Sequence, residues 1–166
     1  KISLSSIKNE NLNFLSSLND LKVLWLSLGS YKDFSGIKHI ANLERLWVQQ
    51  VRGFDDDAVN NVLTGCKNLW ALKLDNLKHL TNLDFAKQIP KLKYLSLEGI
   101  KNIVSYKPIL ENKSIETIQG YQCQPADKSL LGLKNLTDIM LGDSYNKSEI
   151  DNFLNITTAD DVWIRG

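Results

Sequence analysis

The chain has 166 residues, of which 43% are hydrophobic and 23% are charged, with two cysteines and a formal net charge of +1. These values exclude collagen-like, mucin-like and disulfide-scaffold proteins and are typical of one globular domain, which we expect to span residues 1–166. Because positive and negative charges nearly balance, the chain has no excess of positive charge to attract a polyanion, and we expect no nucleic-acid partner. No apolar run approaches the roughly 18 residues that cross a bilayer, so we expect no membrane partner either.

A short apolar pattern of the form L-x-x-L-x-L recurs along the chain. The middle apolar residues of its eight copies are Ile2, Leu24, Leu46, Leu72, Leu95, Ile118, Ile139 and Val162. Consecutive copies are separated by 21 to 26 residues. Because apolar residues alternate within each copy, each predicts a short strand with one buried face, and a single unit cannot bury that face alone. The period therefore predicts a repeat protein in which the strands stack in parallel.

The segments that return the chain from one predicted strand to the next are mostly short. Residues 56–65 open with acidic residues and end in glycine, within the longest repeat, and they predict a helix. Residues 147–154 predict a second helix. We expect 3₁₀ turns and loops in the other returns, with Pro90 and Pro108 stopping or kinking two of them.

The repeated pattern resembles the leucine-rich-repeat family, whose units carry L-x-x-L-x-L followed by x-x-N/C-x-L. The resemblance implies an α/β repeat fold. Its expected form is a right-handed solenoid with a parallel concave β-sheet of about eight short strands and with short helices, 3₁₀ turns and loops on the convex side. The repeats resemble the irregular, bacterial type of this family.

The position that often holds asparagine in this family differs here. It is filled by Gly29, Val51, Leu77, Ile100, Cys123 and Ser144. We therefore expect apolar packing rather than an asparagine ladder in these turns, with the backbone groups satisfied by other means.

Residue types that perform catalysis or bind metals are sparse. Cys66 and Cys123 fall at opposite ends of strands in different repeats, which predicts two free and mostly buried thiols. His39 and His79 lie on returns and form no zinc-type cluster or nucleophile–base pair. The acidic residues 55–57 are better explained by a helix N-terminus than by a cation site. We expect no catalytic residue, no metal and no cofactor.

Three rows of strand side chains are predicted to face the concave surface, because successive strand residues point to opposite sides of a sheet. The central row is Ser3, Trp25, Trp47, Lys73, Ser96, Gln119, Met140 and Trp163. The row before it is Val23, Arg45, Ala71, Tyr94, Thr117, Asp138 and Asp161. The row after it is Ser5, Ser27, Gln49, Asp75, Glu98, Tyr121, Gly142 and Arg165. Three of the four tryptophans fall in the central row, and exposed tryptophan with arginine is typical of protein interfaces.

These rows predict a protein-binding contact set at the centre of the concave face. Its members are Trp25, Trp47, Arg45, Lys73, Asp75, Tyr94, Glu98 and Tyr121. Two alternatives stay open: Trp25 and Trp47 could form a purely structural stack, and Trp163 could cap the end of the solenoid. Trp70 is left out because it lies at the entry of its strand.

The charges predicted on this face change along it. The side toward the N-terminus carries Arg45 and Lys73, and the side toward the C-terminus carries Glu98, Asp138 and Asp161. Such a face disfavours a phosphate backbone and suits a folded protein with complementary patches.

We therefore predict a non-enzymatic protein that recognises a folded protein partner without a small-molecule cofactor. A short repeat chain whose start has no signal-peptide pattern resembles small bacterial immunity proteins, which implies a cytoplasmic inhibitor that neutralises a cognate toxin domain. The alternative is an adaptor or substrate-recognition region of a larger protein, because strands begin at Ile2 and end at Ile164 with no separate cap.

Overall fold

Eight short parallel strands form one sheet in sequence order. They are β1 (Ile2–Ser5), β2 (Val23–Ser27), β3 (Arg45–Gln49), β4 (Ala71–Asp75), β5 (Tyr94–Glu98), β6 (Thr117–Tyr121), β7 (Asp138–Leu141) and β8 (Asp161–Ile164). The computed structural model describes residues 1–123, 125, 127–129, 138–141, 145–157 and 161–164. The predicted parallel sheet of eight strands is confirmed.

The repeat period sets the register of this sheet. The middle apolar residues of successive copies are paired from Ile2 through Val162, so that every rung places the same repeat position side by side. Leu24, Leu46 and Leu72 are fully buried in the core beneath the sheet. A slip of one residue would turn these leucines toward solvent, and their burial therefore holds the register.

Among the residues that the structure describes, the returns on the convex side combine three 3₁₀ turns with three helices. The 3₁₀ turns are Asn13–Ser17, Ser35–His39 and Asp84–Gln88. The helices are α1 (Asp56–Leu63), α2 (Lys107–Leu110) and α3 (Lys147–Ile156). Within the described ranges, no helix combines the length and hydropathy needed to cross a bilayer.

Both predicted helices are confirmed, α1 ending two residues earlier and α3 ending two residues later than expected. The prediction that Pro108 stops or kinks its return is wrong. Pro108 lies in the first turn of α2, where its missing N–H has no intrahelical partner to lose and its fixed φ favours the helix.

The helix N-terminus predicted at residues 55–57 is confirmed, and two of these acidic residues accept backbone hydrogen bonds. The Asp55 Oδ1 atom accepts a hydrogen bond of 3.1 Å from the Ala58 N–H and caps the helix. The Asp56 carboxylate accepts bonds from the N–H and hydroxyl of Thr81, at 2.8 and 2.6 Å, and from the Asn82 N–H at 3.1 Å. Asp56 therefore joins α1 to the return of the next repeat.

The turn that follows each of the first six strands repeats one backbone conformation. Its first residue has a φ between 50° and 63°, and these residues are Ser6, Leu28, Gln50, Asn76, Gly99 and Gln122. The N–H of this residue still bonds to the neighbouring strand, as in the 3.0 Å bond from Leu28 to the Gln49 carbonyl. Only Gly99 adopts this conformation without steric strain at Cβ. We call the edge of the sheet formed by these turns the strand-exit edge.

The apolar residues expected at the family's asparagine position pack inside these turns. Val51, Leu77, Ile100 and Cys123 are all buried, which confirms the predicted apolar packing, and Ser144 lies outside the described residues.

A hydrogen-bond ladder lies instead at the opposite edge, where the strands begin, which we call the strand-entry edge. The side-chain amides of Asn42 and Asn68 donate to the carbonyls of Asn19 and Ala41 in the preceding repeat, at 2.9 and 3.0 Å. The Ser114 hydroxyl makes the equivalent bond to the Pro90 carbonyl at 2.8 Å. The backbone groups are thus satisfied by side chains that directly precede the first apolar residue of each copy.

Candidate protein-binding face

The concave face is the side of the sheet away from the core, and its central row is the predicted one. Register pairs Ser3 with Trp25, Trp25 with Trp47, and Trp47 with Lys73. The row continues across β5 to β8 as the sequence predicted.

Trp25 and Trp47 stack on each other at one end of this face. Their ring centroids are 4.2 Å apart and the rings are tilted by 13°. The Lys1 ammonium nitrogen lies 3.5 Å from the Trp25 centroid, so it covers the ring face that Trp47 leaves open. Both indoles are half-buried, and the Trp25 Nε1 atom is buried with no acceptor among the described residues. The two tryptophans therefore form a cross-strand stack, and part of each ring stays accessible to solvent.

Arg45 extends this aromatic end toward the strand-entry edge. Its guanidinium carbon lies 5.8 Å from the centroid of the Trp70 ring, which is 39% exposed. Trp70 was not in the predicted contact set. The strand register could have indicated Trp70, because Arg45 pairs with Ala71 and Trp70 directly precedes Ala71.

The middle of the face is electrically neutral rather than basic. The Lys73 ammonium and the Glu98 carboxylate, on neighbouring strands, form an ion pair of 3.1 Å, and both side chains are about one-third exposed. The predicted change from basic to acidic is therefore wrong at this point, since the two charges meet. The side chains of Asp138 and Asp161 lie outside the described part of the chain.

The prediction that Asp75 faces solvent is wrong. It is 5% exposed, and its carboxylate accepts hydrogen bonds from the Gln49 side-chain amide at 2.8 Å and from the Asn76 side-chain amide. Its oxygens are thus occupied in joining the ends of β3 and β4. Among the described residues of the predicted outward rows, three others are also buried: Val23, Ala71 and Ser96.

The two tyrosines of the predicted set lie on β5 and β6 and are both half-buried. The Tyr94 hydroxyl donates to the Gln119 side-chain carbonyl at 2.7 Å. Tyr121 is the register partner of Glu98. Trp163, on β8, is 66% exposed. The face thus has an aromatic, cationic end on β2 and β3 and a centre of internally paired polar groups.

The two cysteines, Cys66 and Cys123, are free and buried, as predicted. Burial raises the pKa of the Cys66 thiol to about 12 and that of Cys123 to about 11, so both remain protonated at neutral pH. Both histidines are exposed, and no group of three or more metal-ligating side chains occurs among the residues that the structure describes.

Two solved structures of Listeria monocytogenes proteins have a similar fold. An internalin, inlF, superposes with a TM-score of 0.63 and 17% identity over 95% of this chain and 46% of its own. Internalin C2 superposes with a TM-score of 0.62 and 19% identity over 98% of this chain and 80% of its own. The chain thus spans about half the length of the first internalin. No protein-family model and no curated protein sequence matches it. At these identities the similarity establishes the fold alone.

Proposed function

We propose that this chain, a leucine-rich-repeat solenoid by its fold, recognises a folded protein through its concave face and catalyses no reaction. The observation that carries the proposal is the Trp25–Trp47 stack, which is half-buried on the solvent side of the sheet, outside the core. Aromatic and arginine side chains supply most of the energy in protein interfaces.

The stack is well suited to binding because its geometry exists before the partner arrives. Trp47 packs on Trp25, and Trp25 is fixed from its other side by Lys1. Side chains that are already ordered lose little conformational entropy on association. Arg45, exposed beside the Trp70 ring, adds a second anchor next to the stack.

The remaining predicted residues would surround these anchors. The Lys73–Glu98 pair and the half-buried Tyr94 and Tyr121 offer polar atoms that orient a partner more than they add affinity. Asp75 would act from beneath, by holding Gln49 in place.

In its more specific form, the proposal names the partner as a bacterial toxin domain that the chain neutralises in the cytoplasm. Two buried thiols without a disulfide are compatible with a reducing compartment. The second candidate is an adaptor or substrate-recognition region. It is favoured by the overlap with only 46% of an internalin chain, which shows that such a solenoid can be one part of a longer protein.

The test begins with a partner captured from a cell extract and purified, whose dissociation constant is then measured by calorimetry. We expect Trp47→Ala to weaken binding by about thirtyfold, the effect of losing a central hot spot. The matched control is Phe14→Ala, because Phe14 is a 50% exposed aromatic residue on a convex return and its removal should leave binding unchanged.

Circular dichroism would confirm that both variants are folded. Equal affinities for the wild type and Trp47→Ala would overturn the proposal and make the stack purely structural. A captured enzyme whose activity falls to zero at equimolar inhibitor would support the toxin version. A captured component of a larger assembly that keeps its activity would support the adaptor version.

A further inference from the structure

A groove of about 780 Å³ runs along the strand-exit edge, away from the residues of the concave face. Its lining includes Lys8, Arg52, Lys78 and His79, together with the exposed Leu28. Its described lining includes no aspartate or glutamate.

The cations of this groove lie in one row because the repeat places them there. Lys8, Arg52 and Lys78 each stand three residues after the end of their strand. Bridges join Lys8 to Ser30 and Ser30 to Arg52, so this position of the first three repeats is in register. Adjacent strands are about 4.8 Å apart, which makes the row from Lys8 to Lys78 about 14 Å long.

These cations have no counter-ion among the described residues. The nearby Glu10 is already held by Lys32, at 2.9 Å, and the described ion pairs include none of Lys8, Arg52 and Lys78. Arg52 and Lys78 follow adjacent strands, and Lys8 lies two rungs before Arg52. Like charges this close repel one another, and an anion bound between them removes that cost.

Leu28 gives the groove an apolar contact point in the middle of the cationic row. It is 55% exposed, and it occupies a position with φ of 53°, which a glycine or asparagine would adopt more easily. The identity of this residue therefore serves neither burial nor the backbone.

We propose that the strand-exit groove binds an acidic peptide segment of a protein partner, with an apolar side chain of that segment resting on Leu28. An extended segment of about five residues spans the 14 Å row. Single-stranded nucleic acid fits less well, because such sites need aromatic rings for base stacking and no Phe, Tyr or Trp is among the described residues that line the groove.

The probe is a fluorescein-labelled peptide of six glutamates with one central leucine, and fluorescence anisotropy measures its binding at about 20 mM NaCl, where screening is weak. We expect Arg52→Gln/Lys78→Gln to weaken binding by about fivefold, the effect of two exposed charge pairs. A peptide with glutamine in place of glutamate should bind at least fivefold more weakly to the wild type.

The matched control is Lys22→Gln/Lys93→Gln, which lowers the net charge by the same amount at the strand-entry edge. This variant should bind the glutamate peptide within twofold of the wild type. Leu28→Asn should weaken binding while leaving the fold intact.

Four results would overturn the proposal. They are the absence of measurable binding to the glutamate peptide, equal loss in the two double variants, equal binding of the glutamine peptide, and tighter binding of an oligothymidine of matched charge. Trp47→Ala should bind the peptide normally, so that failure here and failure of the concave-face proposal are separate results.

Discussion

The two edges of the sheet use the same repeat period in opposite ways. At the strand-entry edge, polar side chains join one repeat to the next. Ion pairs and a hydrogen bond there link Lys22 to Glu44, Lys93 to Glu116 and Lys91 to Asn68, at 2.7 to 2.8 Å. At the strand-exit edge, Lys8, Arg52 and Lys78 have no such partner among the described residues. The strand-entry cations are thus paired within the stack, whereas Lys8, Arg52 and Lys78 are available to a ligand.

The backbone explains this difference. At the strand-exit edge the left-handed residue of each turn donates its N–H to the next strand, as Leu28 does to Gln49, so no side chain is needed. At the strand-entry edge the chain arrives from an irregular return, and carbonyls such as that of Ala41 need a side-chain donor, which Asn68 provides.

The largest stability effect is expected behind the strand-exit turns, at two buried tyrosines that form a natural matched pair. The Tyr106 hydroxyl donates to the Cys123 carbonyl at 2.6 Å, whereas the buried Tyr31 hydroxyl has no partner among the described residues. We expect Tyr106→Phe to lower the free energy of unfolding by about 1–3 kcal/mol, because it leaves a buried carbonyl unpaired. Tyr31→Phe should leave that free energy unchanged or raise it. Urea denaturation measures the free energy of unfolding of both variants. Equal losses in the two variants would show that the Tyr106 hydrogen bond does not stabilise the fold.

A smaller effect separates the two edges directly. Asn68→Ala removes a donor of the strand-entry ladder and should cost about 1 kcal/mol. Arg52→Gln, at an exposed position of the strand-exit edge, should change the free energy of unfolding by less than about 0.5 kcal/mol. The same urea titration reads both, and a larger loss for Arg52→Gln would mean that the exit-edge cations are structural.

The features that could be predicted from the sequence are those that depend on period and alternation. The alternation of apolar residues within each copy, together with the repeat period, is enough to place Trp25 beside Trp47. The acidic opening and closing glycine of residues 56–65 are enough to predict α1. The family's asparagine position was also interpreted correctly as apolar. The ladder that replaces it at the strand-entry edge was not foreseen, because Asn42 and Asn68 are unremarkable turn residues until the preceding repeat is stacked against them.

Two of the errors concern side chains that reach across strands. Lys73 is in register with Ser96, and Glu98 stands two residues farther along β5, a diagonal that long side chains span. Lys73 and Glu98 belong to different rows, so neither row by itself indicates that the two charges meet. The burial of Asp75 depends likewise on Gln49 from the neighbouring strand and on Asn76, which no single row contains.

A third prediction concerns the backbone of the strand-exit edge. Leu28→Asn should raise the free energy of unfolding by up to about 1 kcal/mol, because asparagine tolerates the left-handed conformation that leucine adopts at a cost. Leu28→Ala is the control, since it removes the exposed side chain but keeps the strain at Cβ, and it should give no gain. Thermal and urea unfolding would report the difference. Equal stability of Leu28→Asn and Leu28→Ala would show that the turn is not strained.

The smallest effect expected is the pH dependence of the strand-entry edge. A hydrogen bond from the Lys22 ammonium holds the pKa of the Glu44 carboxyl below its usual value. A carboxyl whose pKa is lower in the folded state contributes stability above its unfolded pKa and loses it as the pH falls through the folded pKa. The stability difference between the wild type and Glu44→Gln should therefore be greatest near neutral pH and should decline as the pH falls through the folded pKa of Glu44. It should also shrink in about 1 M NaCl, because the pair is exposed to solvent and screened. A difference that stays constant from neutral to acidic pH would mean that Glu44 stabilises the edge by packing and not by its charge.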